Sequence, residues 1–525
     1  MALRWYQDEA IESIYDYFSN NSGNPVIAMP TGTGKSHIIS GFHQRAFSAY
    51  PYQRWLNLVH VKELVAQNAK KLVNSWPTAP IGINSAGLRQ RDTQQAIIYA
   101  GIGSVYRKPE ALGHRDIVLI DECHLVSPKA ETMYASTIAA LREINPALKV
   151  VGLTATPYRL GQGRITDGGL FTDICYDMTT VDGFARLLAE RFLAPVYPKK
   201  TKTELDVSNV SMRNGDFAKS QLQNAVNVSQ TTYNAVLEMC ELGYDKQSWL
   251  VFASGIEHAE NVANVLNQLG VPSAAVHSKT PDRDAVIADF KAGKLRAVVN
   301  NNVLTTGFDH PPIDMIGMLR PTMSPGLWVQ MLGRGTRPSP ETGKQGCLVL
   351  DFAGNTRRLG PINDPHIPKK KKGMPGDAPV KICEACGTYN HASVTQCAMC
   401  GHEFARYEKL TAKASTEELI RSDAAVIEVL DLDRVTYSKH NKPGSPSSLR
   451  VNYFVGISRY SEWVHFERSG LLGKKARDWW RQRHVSEPPT TVDAALQFIS
   501  ELRAPKRIRV WVNKTPYAEV LGYEY

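Results

Sequence analysis

Two short segments of this 525-residue chain contain residue types that handle phosphate and a divalent cation. Residues 29–36 read MPTGTGKS, and residues 119–124 read LIDECH. A glycine-rich loop ending in Gly-Lys-Ser cradles phosphates with backbone N–H groups, and its lysine neutralises their charge. An apolar strand ending in Asp-Glu supplies an anchor for Mg²⁺ and a carboxylate that can polarise an attacking water. Together these segments predict a site of nucleoside-triphosphate hydrolysis.

The sequence around the loop predicts the strand and helix that must position it. PVIAM (25–29) is typical of a buried strand, and SHII (36–39) opens a helix. This strand–loop–helix order is the context that a phosphate-binding loop requires. Met29 stands where the usual pattern has its first glycine.

Strand-like and helix-like segments alternate twice along the chain. Residues 1–160 contain PVIAM, WLNLVHV, QAIIYAG, DIVLIDE and KVVGLTA, separated by helix-length stretches, and residues 246–355 repeat the rhythm with SWLVFAS, SAAVHS, LRAVVNN, DMIGMLR and GCLVLDF. This alternation is typical of parallel sheets in α/β domains. We therefore predict two tandem domains that face a shared cleft, with residues 161–245 as a bridging accessory segment.

The last third of the chain has a different character. Residues 356–381 are rich in Pro, Gly and Lys, which predicts a basic linker. Residues 382–404 contain a cysteine cluster, and residues 405–525 alternate apolar and polar positions around the helical stretch KKARDWWRQR. This pattern predicts a small α+β C-terminal domain. Its tryptophans, interleaved with cations, either stack the bases of single strands or pack in the core, and core packing is favoured.

Four of the eight cysteines have the spacing of metal ligands. CEACG and CAMCG are two CxxC turns, each followed by glycine, and they supply Cys383, Cys386, Cys397 and Cys400. Four thiolates favour tetrahedral Zn²⁺ in a zinc ribbon, with rubredoxin-like iron as the alternative. The metal would stabilise a module too small to fold alone. The spacing leaves open whether this module contacts DNA or protein.

Composition and charge narrow the class of protein. Hydrophobic residues make up 43% and charged residues 21%, which is typical of a globular protein. The N-terminus lacks a signal-peptide core, so we expect a cytoplasmic location, in a bacterial or phage-infected cell, without membrane partners. The net charge is +10, and residues 356–525 contribute 27 Lys+Arg against 19 Asp+Glu, or +8. This excess favours a polyanionic partner, although a solubilising surface would show it too.

Further motifs follow the two phosphate-handling segments in a fixed order. They read HVKELVAQN (60–68), GLTATPYRLG (152–161), VLTTGFD (303–309), QMLGRGTR (330–337) and LDFAGN (350–355). Over residues 1–355 the chain thereby resembles the DExH-type superfamily 2 helicases, which have two RecA-like motor domains. Its order of parts is most similar to that of the RadD group of bacterial DNA-repair helicases. The resemblance implies ATP and Mg²⁺ as cofactors. It also implies DNA, single-stranded or branched duplex, as partner, together with single-strand-binding or recombination proteins.

The resemblance assigns roles to residues of the first domain. Gln7 would read adenine, Lys35 would grip the terminal phosphates, and Glu122 would orient the hydrolytic water. Ser36 and Asp121 would hold Mg²⁺, while His124 would couple the nucleotide state to the other domain. The loop residues expected at the nucleotide are Thr31, Gly32, Thr33, Gly34, Lys35 and Ser36.

The second domain is expected to complete the site. Arg334 and Arg337 are three residues apart, so one helical turn can aim both at the γ-phosphoryl group, with Gln330 one turn back. Asp309 is also expected at the nucleotide. The residues that the resemblance places between nucleotide and nucleic acid, or on the nucleic acid, are His60, Val61, Lys62, Gly103, Ser104, His124, Thr154, Thr156, Phe252, Ala253, Ser254, Thr305, Thr306 and Gly307.

These features favour an ATP-dependent DNA helicase or translocase that unwinds or remodels DNA, including branched DNA, in repair, recombination or replication. Two alternatives remain open. A translocase subunit of a restriction-type complex would have the same motor, although no nuclease-like constellation of carboxylates and lysine is evident. A zinc-ribbon nucleic-acid-binding adaptor with an inactive motor would not need Lys35, Glu122, Arg334 and Arg337, which are all present.

Overall fold

A computed structural model of the chain describes most of its residues. The described ranges are 3–128, 132–159, 163–213, 215–304, 308–365, 379–404, 426–442, 444–456, 458–514 and 517–525. Within them the chain forms two compact units. One unit comprises the described residues between 24 and 404, and the other joins residues 3–23 to those from 426 onward.

The α-helices of the described ranges differ widely in length. They are α1 Trp5–Asn20, α2 Lys35–Ala49, α3 Lys62–Ser75, α4 Ile102–Val105, α5 Met133–Ile144, α6 Val181–Ala189, α7 Lys219–Val226, α8 Ser229–Leu242, α9 Ile256–Gln268, α10 Arg283–Lys291, α11 Pro325–Leu332, α12 Asn355–Leu359, α13 Gly470–Arg481 and α14 Val492–Gln497. None of them is both long enough and apolar enough to cross a lipid bilayer.

The first lobe is built on an eight-stranded sheet in the order β10-β1-β7-β6-β2-β5-β3-β4. All its pairs are parallel except β3 with β4. The central strands are buried throughout, as expected for a parallel sheet covered by helices on both faces. The strands of this region are β1 Pro25–Ala28, β2 Trp55–Val59, β3 Ile81–Ser85, β4 Gln90–Arg91, β5 Ile97–Gly101, β6 Ile117–Asp121, β7 Lys149–Thr154, β8 Tyr158–Arg159, β9 Gly163–Arg164 and β10 Asp173–Asp177.

The second lobe has a six-stranded, wholly parallel sheet in the order β11-β18-β17-β14-β16-β15. Its core is continuous with the apolar faces of α8 and α9. A separate antiparallel pair, β12 with β13, precedes α7. The strands are β11 Val196–Lys199, β12 Met212–Arg213, β13 Asp216–Phe217, β14 Trp249–Ala253, β15 Ser273–Val276, β16 Ala297–Asn300, β17 Met315–Leu319 and β18 Cys347–Asp351. The two predicted parallel-sheet domains are thus confirmed.

Two smaller elements follow the second lobe in sequence. The cysteine cluster flanks an antiparallel pair, β19 Val380–Ile382 with β20 Tyr389–His391. The C-terminal residues form two three-stranded antiparallel sheets that share one core with α13 and α14. Their strands are β21 Ile427–Asp431, β22 Arg434–His440, β23 Ser448–Val455, β24 Ser458–Val464, β25 Arg507–Trp511 and β26 Glu519–Glu524. The predicted α+β fold of this region is confirmed.

The domain boundaries differ from the predicted ones in three places. Residues 161–245 are not a separate bridge, because β10 pairs with β1 in the first sheet and β11 pairs with β18 in the second. Residues 3–23 form a compact unit with the C-terminal residues and not with the rest of 1–160. The predicted linker 356–381 begins with α12, and residues 366–378 lie outside the described ranges.

Candidate active site

The loop between β1 and α2 has the geometry of a phosphate cradle. Gly34 has φ 84° and ψ 44°, a left-handed conformation that glycine adopts without penalty, and α2 begins at the next residue. The Thr33 hydroxyl donates to the Pro30 carbonyl at 2.7 Å, and the Lys35 ammonium donates to the Met29 carbonyl at 3.4 Å. The loop therefore presents backbone N–H groups, a helix N-terminus and one cation to a common point.

Two adjacent acidic residues lie beside this loop, Asp121 at the end of β6 and Glu122 directly after it. Asp121 is buried, and burial raises its pKa, with the adjacent Glu122 raising it further. Glu122 has φ 51°, an unusual conformation for a residue with a β-carbon, and its amide donates to Asp121 Oδ1 at 2.9 Å. Strained backbone of this kind is found at functional sites. Two carboxylates held together here suit a cation and a water that must be oriented.

The second lobe contacts the loop directly. The Thr336 hydroxyl donates to the Thr31 carbonyl at 3.1 Å. A β-carbon at Gly333 would lie 2.5 Å from the Thr31 β-carbon, so only glycine permits this approach. A further ion pair, Arg283 to Glu63 at 3.1 Å, joins α10 to α3. The two lobes are thus in contact at two separate places.

Two arginines of the second lobe lie at this contact, Arg334 buried and Arg337 half-buried. Arg334 donates to the Phe308 carbonyl at 2.6 Å, and Arg337 forms an ion pair with Asp309 at 2.8 Å. Burial, with Arg337 beside it, lowers the pKa of Arg334 to about 9, so it remains charged at neutral pH. Both arginines follow the end of α11 at Leu332, so the predicted single helical stripe is wrong. Of the three residues only Gln330 lies on the helix, and the turn after the helix positions Arg334 and Arg337.

A chain of hydrogen bonds links this segment to the first lobe. Gln330 Nε2 lies 2.9 Å from His124 Nε2, and His124 Nδ1 lies 2.9 Å from the Thr154 hydroxyl. The amide nitrogen can only donate, so His124 accepts at Nε2 and donates from Nδ1. Burial, with Lys35 nearby, lowers the pKa of His124 to about 4, which keeps the imidazole neutral. The Thr154 hydroxyl also accepts from the Thr156 amide at 3.0 Å.

Two residues of α3 reach the site although the sequence analysis did not select them. Asn68 Nδ2 donates to Asp121 Oδ2 at 2.9 Å, and the Lys71 ammonium donates to the Ser36 hydroxyl at 2.8 Å. Burial lowers the pKa of Lys71, and the Asp309 and Asp121 carboxylates oppose that shift. Asn68 falls four residues after Leu64, on the buried face of the helix. In the sequence, Asn68 is a polar residue at a position where the helix pattern predicts burial, and this could have indicated a role in the site.

The residues at the cleft fit a nucleoside triphosphate with Mg²⁺. Glu122 Oε2 and Arg334 Nε are buried without a hydrogen-bond partner among the described residues, although His124 lies 3.5 Å from that carboxylate oxygen. Buried polar groups without partners are costly unless a ligand satisfies them. Ser36 and Asp121 are the residues that would hold Mg²⁺, which would neutralise charge on the phosphates.

Family models match both lobes. Residues 1–159 match the family "Type III restriction enzyme, res subunit", and residues 232–339 match "Helicase conserved C-terminal domain". The fold of these two lobes is that of two tandem RecA-like helicase domains. The cleft described above therefore lies between the two lobes of a helicase-type motor.

Several relatives of this motor are similar over long stretches. A 51.5 kDa protein of Lactococcus phage (isolate 7-9) is 26% identical over 490 residues, which cover 88% of this chain and 100% of the phage protein. The putative mitochondrial ATP-dependent helicase irc3 of Schizosaccharomyces pombe is 29% identical and covers 70% of this chain, which spans 60% of irc3. In fold, a fragment of a putative HsdR subunit of a type I restriction enzyme from Vibrio vulnificus YJ016 is similar, with a TM-score of 0.50 and 21% identity over 67% of this chain and 64% of that one.

The described residues predicted to face nucleic acid occupy the carboxyl ends of motor strands or the segments just beyond them. His60, Val61 and Lys62 follow β2, and Gly103 and Ser104 lie in α4 after β5. His60, Lys62 and Gly103 are exposed, while the Ser104 hydroxyl accepts from the Ala86 amide at 2.9 Å. Because β2 and β5 are parallel neighbours, these groups share one edge of the sheet.

The corresponding residues of the second lobe are less accessible. Phe252 and Ala253 are fully buried in β14, so their side chains pack in the core and cannot contact a nucleic acid. Ser254 is half-buried and donates to the Leu319 carbonyl at 2.9 Å. Thr305, Thr306 and Gly307 lie outside the described residues.

Gln7, the predicted adenine reader, lies in α1 and therefore in the other compact unit. It is buried, and its side-chain oxygen accepts from the Arg4 amide at 3.0 Å. Its role at the nucleotide stays a prediction.

The cysteine cluster is arranged as a four-ligand metal site. The sulfurs of Cys383, Cys386, Cys397 and Cys400 all lie within 4.8 Å of one another. Cys383 to Cys400 and Cys386 to Cys397 are each 3.6 Å apart, far longer than a disulfide. A tetrahedron with Zn–S bonds of about 2.3 Å places its sulfurs about 3.8 Å apart. The geometry therefore suits Zn²⁺ in a zinc ribbon.

Proposed function

We propose that this protein is an ATP-driven motor that moves along DNA and unwinds or remodels it, including branched DNA, during repair, recombination or replication. The observation that carries the proposal is the direct contact between the phosphate-binding loop and the segment that bears Arg334 and Arg337. A motor needs its fuel to be hydrolysed only when two lobes meet, because that requirement turns a chemical step into a motion.

The proposed roles of the residues follow from their positions. Lys35 and the loop amides would bind the phosphates, and Glu122 would orient the attacking water. Arg334 and Arg337 would stabilise the charge that spreads over the γ-phosphoryl oxygens in a loose transition state. The hydrogen bonds from Gln330 to His124 and from His124 to Thr154 would couple contact between the lobes to the segments that are expected at the nucleic acid.

The order of parts supports a RadD-like role in DNA repair. Two motor lobes are followed by a Cys₄ cluster, which is the order expected from the sequence resemblance. Single-strand-binding and recombination proteins are the protein partners that this role would involve.

A restriction-type translocase subunit is a second candidate. The family model matched by residues 1–159 is named for a restriction enzyme, and an HsdR fragment has a similar fold. This function requires DNA translocation that serves a separate nuclease. It would be favoured if unmodified duplex DNA stimulated ATP hydrolysis by the purified protein and single-stranded and branched DNA did not.

The test compares ATP hydrolysis with and without single-stranded, duplex, forked and four-way DNA, and with an RNA oligonucleotide. We expect DNA to stimulate turnover, and Lys35→Ala and Glu122→Gln each to reduce it by about 100-fold or more. The matched control is Lys294→Ala, an exposed residue of the second lobe. A wild-type rate that no nucleic acid changes would refute the motor proposal, and an undetectable rate would favour the inactive-motor adaptor.

A further inference from the structure

The C-terminal unit presents one face of a three-stranded sheet away from its core. In β23, Leu449, Val451 and Tyr453 are buried in the core cluster that includes α13 and α14. Successive side chains of a strand point to opposite faces. Arg450, Asn452 and Phe454 therefore lie on the outer face. We call this surface, with the residues of β22 and β24 paired to them, the outer face.

The strand register arranges the outer face in three rows. Antiparallel pairing places one residue of each strand side by side. The rows are Arg434–Phe454–Arg459, Thr436–Asn452–Ser461 and Ser438–Arg450–Trp463.

The charge of the outer face has a single sign. Arg434 and Arg459 are exposed, and Arg450 is half-buried. The carboxylate of these three strands, Glu462, points to the core, where it accepts hydrogen bonds from Trp479 at 2.7 Å and Tyr523 at 2.5 Å. The rows therefore hold three guanidinium groups and no acidic group.

Aromatic rings lie directly beside these cations. Trp463 is 37% exposed, whereas Trp479, Trp480 and Trp511 are at most 5% exposed. The Arg450 guanidinium lies 5.7 Å from the Trp463 ring, and the Arg434 guanidinium lies 4.2 Å from the Phe454 ring. The structure thus separates one accessible tryptophan from the three that build the core.

The middle row is already organised for hydrogen bonding. The Asn452 amide donates to the Thr436 hydroxyl at 3.3 Å and accepts from the Ser461 hydroxyl at 2.8 Å. The Asn452 amide and the two hydroxyls can replace these hydrogen bonds with hydrogen bonds to the edge of an unpaired base. Between two aromatic rows, they complete a surface that offers stacking planes, cations and polar contacts in turn.

We propose that the outer face binds single-stranded DNA, with bases stacked on Trp463 and Phe454 and with Arg434, Arg450 and Arg459 at the phosphates. Exposed rings beside cations are the means by which proteins hold single strands without reading sequence. A duplex hides the faces of its bases, so it cannot use the rings. The site is additional to the cleft, and it rests on the proposed function only in taking DNA as the motor's track.

Cross-linking of the full-length protein tests where a strand binds. A 5-iodouracil oligodeoxynucleotide reacts on irradiation with aromatic side chains that stack on it. We expect mass spectrometry to find cross-linked peptides that contain Trp463 or Phe454. Cross-links confined to the motor lobes, residues 24–365, would overturn the proposal, even if DNA stimulates ATP hydrolysis. That outcome is distinct from failure of the motor proposal, in which no nucleic acid changes the rate.

Affinity measurements on the same full-length protein give a second test. Trp463→Ala and Phe454→Ala should each weaken binding of a single-stranded oligonucleotide by about fivefold or more. Tyr517→Ala removes an exposed ring of the same unit and should not. Thermal melting identifies any variant that fails to fold. Wild-type affinity in both folded variants, or tighter binding of the matching RNA through the same residues, would contradict the proposal.

The salt dependence separates cationic contacts from general folding effects. Removal of one cation that binds a phosphate of a single strand should reduce the magnitude of the slope of log K against log salt by about 0.7. Arg434→Gln and Arg459→Gln are expected to show this change. Arg481→Gln, at the exposed end of α13, is the matched control and should keep the wild-type slope. Equal slopes in all three variants would argue against phosphate binding on the outer face.

Discussion

A single imidazole connects the two lobes at the level of side chains. His124 accepts from Gln330 of the second lobe and donates to Thr154 of the first, each at 2.9 Å. Both bonds require the same tautomer of the ring, with the proton on Nδ1. Each bond therefore stabilises the tautomer that the other needs, so the two bonds are mutually dependent. Thr154 ends β7, from which the chain continues toward Thr156. The imidazole therefore links the two lobes, and its pKa, lowered to about 4, keeps it neutral at neutral pH.

We predict that Gln330→Ala and His124→Ala are strongly coupled. Each single variant should reduce DNA-stimulated ATP hydrolysis, and the double variant should be little slower than the worse single one. The expected interaction free energy is about 0.5–3 kcal/mol, the range found for neighbouring residues that interact. Stimulated and unstimulated rates of the four proteins measure it. Additive effects would show that the pair does not act as a unit.

Residues far apart in sequence form the interface between α1 and α13. Lys474 pairs with Asp8 at 3.0 Å and Glu12 at 2.9 Å, and Lys475 pairs with Glu9 at 2.6 Å. Asp16 accepts from the Leu471 amide at 2.6 Å, so a carboxylate of α1 caps the N-terminus of α13. The interface therefore combines a helix cap with partly exposed ion pairs, each of which contributes about 1 kcal/mol or less.

We predict that Gly470→Ala loosens this interface and Gly444→Ala does not. Both glycines have left-handed φ, 70° and 74°, so each substitution carries the same backbone cost of about 1 kcal/mol. A β-carbon at Gly470 would also lie 1.6 Å from the Asp16 carboxylate, whereas the space at Gly444 is open. The clash adds about 1–3 kcal/mol. Hydrogen exchange of the α1 amides measures the difference, and equal protection in the two variants would show that the cap is dispensable.

Local patterns predicted most of the motor's strands, and long-range pairing explains what they missed. WLNLVHV and QAIIYAG lie between helical stretches, and they correspond to β2 and β5. β10 and β11 have mixed burial at sheet edges, so no apolar run distinguished them from irregular chain. The partnership of α1 with α13 joins the two ends of the chain, and no local pattern records it. In the same way, the site motifs predicted Lys35 and Glu122, whereas Asn68 and Lys71 face the cleft only because of how α3 packs.

Over the whole molecule, folding neutralises several imidazoles that the unfolded chain would protonate. His43 and His124 in the first lobe, and His258 and His310 in the second, each have their pKa lowered to about 4, with burial as the largest cause. The ordinary value is 6.5. Between these two values the unfolded chain binds protons that the folded chain does not. These imidazoles therefore destabilise the folded state progressively as the pH drops from 6.5 toward 4.

We predict that His258→Leu flattens this acid sensitivity. His258 is fully buried, with Nδ1 accepting from the Ser254 amide at 3.4 Å and Nε2 without a partner among the described residues. A pKa near 4 costs about 2 kcal/mol of stability between about pH 7 and pH 5. For a lobe of this size that cost corresponds to a fall of about 4–8 °C in Tm. His114→Gln, which removes an exposed imidazole, is the control. We expect thermal melting at the two pH values to show a smaller decrease in Tm for His258→Leu than for the wild type or His114→Gln, and equal decreases in all three proteins would show that this imidazole does not titrate with unfolding.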